Sequence, residues 1–86
     1  MKYEIEWSHE ALKDVRRLDK PLVTRITRAI ELFAETGHGD VKKLTNAGGA
    51  YRLRVGDWRV RFTIIDGELH VMLIQNVLSR GEAYKR

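Results

Sequence analysis

The chain of 86 residues has 43% hydrophobic side chains, no cysteine, and a formal net charge of +4 from 16 Lys and Arg against 12 Asp and Glu. That length suits one domain spanning residues 1–86, with a core of adequate size, and the lack of cysteine excludes a disulfide framework or a thiolate metal site and fits a reducing compartment. The N-terminus is too charged for a signal peptide, and the longest aliphatic run, Val71 to Ile74, is too short to span a bilayer, so a soluble, cytoplasmic protein with no membrane partner is expected.

Tyr3, Ile5 and Trp7 alternate with Lys2, Glu4 and Glu6, which predicts a short N-terminal strand with one buried face. Ser8 is a good N-cap, Glu10 lies in the first turn where the helix dipole favours an anion, and Leu12, Val15 and Leu18 recur at spacings of three. A first helix over about 9–18 follows from these signals. Asp19-Lys20-Pro21 marks a break and a restart, because proline is tolerated only in the first turn of a helix. Leu22, Ile26, Ala29, Ile30 and Phe33 then form the apolar stripe of a second helix ending at Gly37. The charges of this helical hairpin read as solvated surface. His9 and His38 have no Cys, His or carboxylate at ligand spacing, so no metal is expected. Residues 38–50 read as a linker, pinned to the core by Val41 and Leu44 and made flexible by Gly48-Gly49.

Around Tyr51 to Phe62 the pattern sharpens. Tyr51, Leu53 and Val55 alternate with Arg52 and Arg54, and after Gly56-Asp57 the alternation resumes as Trp58, Val60 and Phe62 against Arg59 and Arg61. With Gly56-Asp57 as a two-residue hairpin loop, Arg54 lies opposite Arg59 and Arg52 opposite Arg61, so four guanidinium groups share one face. Directly opposed like charges cost up to about 1 kcal/mol per pair, a cost that a purely structural sheet avoids by mixing signs. The face therefore reads as a polyanion site, and residues 51–86 hold +3 of the net charge. Asp66-Gly67 reads as a type I′ turn opening a further strand from Glu68 to about Val77. Counting from that turn sets Thr63 opposite His70, Arg61 opposite Met72 and Arg59 opposite Ile74, and sends Leu69, Val71 and Leu73 to the core. The expected fold is α+β in the order β-α-α-β-β-β: a mostly antiparallel sheet with the helical hairpin packed on one face and the arginines on the other.

The hairpin Tyr51-Arg-Leu-Arg-Val-Gly-Asp-Trp-Arg-Val-Arg-Phe62, together with Arg80-x-x-Ala-Tyr84 in the tail, resembles the RelE/ParE superfamily of toxins from type II toxin–antitoxin pairs. Trp7-Ser8, the Ala-Leu-Lys-Asp helix and Val41-Lys-Lys-Leu44 fall in the same family order, so the resemblance covers nearly the whole chain. It implies a RelE-like fold, a cognate antitoxin as partner, and no cofactor or small-molecule ligand. It also implies a metal-independent endoribonuclease, an mRNA interferase that acts with the ribosome, cuts mRNA in the A site by attack of the 2′-hydroxyl on the adjacent phosphate, and inhibits translation. In that reading Arg54, Arg59, Arg80 and Tyr84 are catalytic, with Tyr84 able to stack on a base, while Arg52, Arg54, Arg61 and Lys85 bind RNA. Arginines suit such a reaction because they stay charged and bond a phosphate bidentately as charge builds on its oxygens. One departure is that Ser79 stands where some ribonuclease members place a histidine before the arginine, and arginine is a poor proton acceptor at neutral pH. His70 is the only histidine that the expected register sets on the arginine face. The alternatives are a ParE-like inhibitor of DNA gyrase and an inactive relic or binding module.

Overall fold

The structure, a computed structural model, describes residues 2–45 and 48–81. Its elements are β1 (Glu4–Trp7), α1 (His9–Arg16), α2 (Lys20–Thr36), β2 (Asp40–Lys43), β3 (Tyr51–Val55), β4 (Trp58–Asp66) and β5 (His70–Ser79). The five strands form one sheet in the order β1-β5-β4-β3-β2. β1 runs parallel to β5, and the other neighbours pair antiparallel. The chain is thus α+β, with both helices on one face of a mostly antiparallel sheet. Among the described residues no helix is long and apolar enough to cross a membrane.

Local chemistry sets the helix ends. The Ser8 hydroxyl accepts from the Ala11 amide at 3.0 Å, and Asp19 Oδ1 accepts from the Leu22 amide at 3.2 Å. Gly37 closes α2 at φ 79°, a left-handed conformation that favours glycine. α1 stops at Arg16, two residues short of the expected end, because Asp19 must stay extended to cap α2; Leu18 still packs on the core.

Ala11, Ile26 and Ile30 from the helices meet Leu53, Val60, Phe62, Met72, Ile74 and Val77 from the sheet, each at most 1% exposed. Burying a large apolar side chain contributes about 1.5–3 kcal/mol, so this interface holds the helices against the sheet. Phe62 stands between Phe33 and Tyr51, with ring centroids 5.4 and 5.5 Å away.

Two expectations are corrected. The linker contains a strand, β2, with Asp40 opposite Arg54, Val41 opposite Leu53 and Lys42 opposite Arg52. It is a four-residue edge strand with a single apolar side chain, too short for its alternation to stand out, and its charges are the usual protection of a sheet edge.

The second correction concerns β5. Its turn is longer than two residues: Asp66 pairs with His70, leaving Gly67, Glu68 and Leu69 as the loop. Thr63 therefore faces Leu73, not His70, and Met72 and Ile74 enter the core in place of Leu69, Val71 and Leu73. Leu69 is 64% exposed. The run Val71-Met72-Leu73-Ile74 is apolar on both faces, so alternation could not choose between registers that differ in parity.

The register then shifts again at a β-bulge. Phe62 pairs with Ile74 but Arg61 pairs with Asn76, so Gln75 has no residue opposite. Helix α1 fastens this irregularity. The Ser8 hydroxyl donates to the Gln75 carbonyl and the Ser8 amide donates to the Ile74 carbonyl, both at 2.9 Å. Asp14, only 7% exposed, accepts from the Val77 amide through Oδ2 at 2.8 Å. After the bulge Val77 is in the core beside Val60, and Asn76 and Leu78 lie on the arginine face, opposite Arg61 and Arg59.

Candidate functional site

The hairpin β3–β4 has the expected register: Arg54 opposite Arg59, Leu53 opposite Val60, Arg52 opposite Arg61. Four arginines thus line the face away from the helices. The arginines differ in what holds them. Arg52 Nη1 donates to the Asp40 carbonyl at 3.1 Å and lies 3.3 Å from its Oδ1, so this guanidinium is paired with a carboxylate. Arg54 Nε donates to the Gly56 carbonyl at 3.2 Å, and Arg59 Nη1 donates to the same oxygen at 3.3 Å and to the Trp58 carbonyl at 3.2 Å. Those acceptors are neutral, so both charges remain uncompensated by any carboxylate among the described residues. Arg61 lies half-buried one row further along β4, opposite Asn76.

β5 carries Arg80 to the same place. The Arg80 amide donates to the Asp57 carbonyl at 2.8 Å, tying the end of β5 to the hairpin turn, with Arg80 itself exposed. Gly56, at φ 60°, is thereby surrounded. Arg54 and Arg59 bond its carbonyl, and Arg25 of α2 reaches the turn from the other side, its Nη2 2.9 Å from where a Cβ on Gly56 would stand. Arg25 gave no sequence signal, because the approach of α2 to the turn is a tertiary contact between distant segments.

Away from the turn the face changes sign. Glu6 lies beside Leu73 and Glu4 beside Val71 on β1, so the open face runs from cationic at β3–β4 to anionic at the β1 edge. That charge gradient would draw an anion toward the turn end. His70 is elsewhere: it shares the parity of Met72 and Ile74, contacts Asp66 and meets the Tyr3 ring edge-on. It stands eight residues along β5 from Leu78, the partner of Arg59, a separation of roughly 25 Å at about 3.3 Å per residue. The expectation that His70 shares the arginine face is therefore overturned, and it cannot serve as a base at the turn. Tyr84 and Lys85 lie outside the described residues.

Asp14 is the functional-site support that sequence reading passed over. Its signal was a carboxylate on the buried stripe, between Ala11 and Leu18, where an amphipathic helix would otherwise place an apolar residue.

The two-helix layer on this five-stranded sheet is a fold shared with solved RelE toxins. The chain superposes with a TM-score of 0.77 on the toxin–antitoxin complex RelBE2 from Mycobacterium tuberculosis, at 21% identity, covering 93% of this chain and 100% of that one. Against the archaeal RelE–RelB complex from Pyrococcus horikoshii the TM-score is 0.74 at 25% identity, covering 94% and 98%. In sequence it is 26% identical over 89 residues to the protein named RelE1 in Methanocaldococcus jannaschii, covering 99% of this chain and 98% of that protein. A family model described as the ParE toxin of type II toxin–antitoxin systems matches residues 5–84. The chain belongs to this toxin family, within the RelE/ParE superfamily.

Proposed function

We propose that this toxin is a metal-independent endoribonuclease that cuts ribosome-bound mRNA. The observation that carries the reading is the convergence of Arg54, Arg59 and Arg80 at the Gly56-Asp57 turn, without a carboxylate neutralising them among the described residues. Such a cluster is expensive to maintain and suits a phosphate that gains charge as it reacts.

In the proposed reaction the 2′-oxygen of one nucleotide bonds to the adjacent phosphorus and the bond to the 5′-oxygen breaks, leaving a 2′,3′-cyclic phosphate and a 5′-hydroxyl. Arg59 and Arg80 stabilise the charge on the non-bridging oxygens, Arg54 holds the phosphate, and Arg52 and Arg61 track the flanking backbone. Tyr84 stacks a base and Lys85 adds a phosphate contact. The proton lost by the 2′-hydroxyl and the one gained by the 5′-oxygen exchange with solvent or a ribosomal group. Orientation and charge stabilisation then supply most of the rate. The partner that silences the toxin is an antitoxin of the RelB kind, as in the solved complexes of its structural relatives.

Poisoning of DNA gyrase is the second reading, favoured by the ParE description of the matching family and by the placement of His70 away from the arginine face. Incubation with ribosomes programmed with a defined message, beside a gyrase supercoiling assay, separates the two. Cleavage within the A-site codon supports the ribonuclease. Intact message with inhibited supercoiling replaces it with the second reading.

A further inference from the structure

The bulge in β5 opens a groove of about 410 Å³ on the arginine face, lined by Ser8, Glu10, Arg61, Leu73, Gln75 and Asn76. Gln75 Oε1 is buried there with no hydrogen-bond partner among the described residues. A buried acceptor left unpaired is costly and calls for an explanation. A half-turn of the terminal amide exchanges its oxygen and nitrogen, and with no bond to that oxygen to break, either group can be presented to the groove.

The walls select what enters. Arg61 borders the groove on β4, two residues and about 7 Å along the strand from Arg59. Glu10 borders it on α1, and Glu6 stands beside Leu73 on the same face. A phosphate would meet these carboxylates and be repelled, whereas a neutral heterocycle would find Leu73 beneath it and acceptors around it. With its oxygen turned to the open end, the glutamine amide accepts from the exocyclic amino group of adenine, and a carboxylate on the wall accepts from such a group as well.

We infer that this groove is a nucleobase subsite in which Gln75 reads an exocyclic amino group, adenine fitting best; the inference rests on the RNA-directed function proposed above. The backbone of a bound strand follows Arg59 and Arg61, and the base beside Arg61 turns into the groove.

The test compares ribosome-bound messages carrying adenosine or purine riboside, the same ring without its amino group, at each position around the cut. The parent protein is expected to favour adenosine at one position by about tenfold, and Gln75→Leu to cut both messages equally. Gln75→Met, which keeps the side-chain length, is the second variant, and neither should lower the melting temperature, since the amide oxygen has no partner to lose. Cleavage with no amino preference, or a preference that survives in both variants, overturns the subsite. If no message is cut, the ribonuclease reading fails separately, and anisotropy titration with short single-stranded RNAs carrying the same two bases decides: discrimination that Gln75→Leu abolishes supports the subsite, and equal binding by the parent overturns it.

Discussion

Arg54 and Arg59 face each other across the β3–β4 hairpin and donate to one oxygen, the Gly56 carbonyl, at 3.2 and 3.3 Å. Two like charges that would otherwise separate are held together by a backbone acceptor at the turn between them. Because that acceptor is neutral, their combined charge stays available to a ligand, and Arg80 arrives beside it through the hydrogen bond that its backbone amide donates to the Asp57 carbonyl.

The turn should therefore be sensitive to its glycine. Gly56→Ala places a side chain at φ 60°, which costs about 1–2 kcal/mol, and sets the new methyl against Arg25. We expect a melting temperature lower by roughly 4–8 °C per kcal/mol, together with a cleavage rate that falls by more than the folded fraction does, because the shared carbonyl moves. Thermal unfolding and single-turnover cleavage measured on the same preparation check both.

Asp14 holds the bulge that gives the face its second half. Asp14→Ala leaves the buried Val77 amide without its acceptor, a loss of about 1–3 kcal/mol, while Asp14→Asn keeps an oxygen in place and should lose less. Hydrogen exchange at the Val77 amide is the direct measurement. Acceleration in the alanine variant confined to residues around 75–79 is the expected pattern, and unchanged protection would show that α1 does not fasten the bulge.

His70 should be dispensable for catalysis. It lies at the far end of β5 beside Asp66, on the helix-side parity. The pH–rate profile of His70→Gln is expected to superimpose on that of the parent; loss of a limb of the profile would bring the imidazole back into the reaction.

The legible parts of this molecule were those in which two signals agreed. The β3–β4 register followed from strict alternation on both sides of Gly56-Asp57, and the helix ends from Ser8, Asp19-Pro21 and Gly37, where capping chemistry and the apolar stripe coincide. β5 failed on both counts: its apolar run has no alternation, and its turn has three residues where Asp66-Gly67 suggested two. The bulge at Gln75 was out of reach because it depends on Ser8 and Asp14, more than 60 residues earlier in the chain. For the site, the four-arginine face was readable, but not which arginines keep their charge unpaired, since Asp40 reaches Arg52 only through the unrecognised strand β2.

In the proposed reaction the arginines at the turn stabilise a reacting phosphate. The most direct measurement is the single-turnover rate of A-site message cleavage by the parent, Arg59→Ala and Arg80→Ala, each with its melting temperature. Exposed or half-buried arginines contribute little to packing, so we expect melting temperatures close to the parent's and rates lower by on the order of 10²-fold or more for each variant. Parental rates in both variants, with the fold intact, would contradict it.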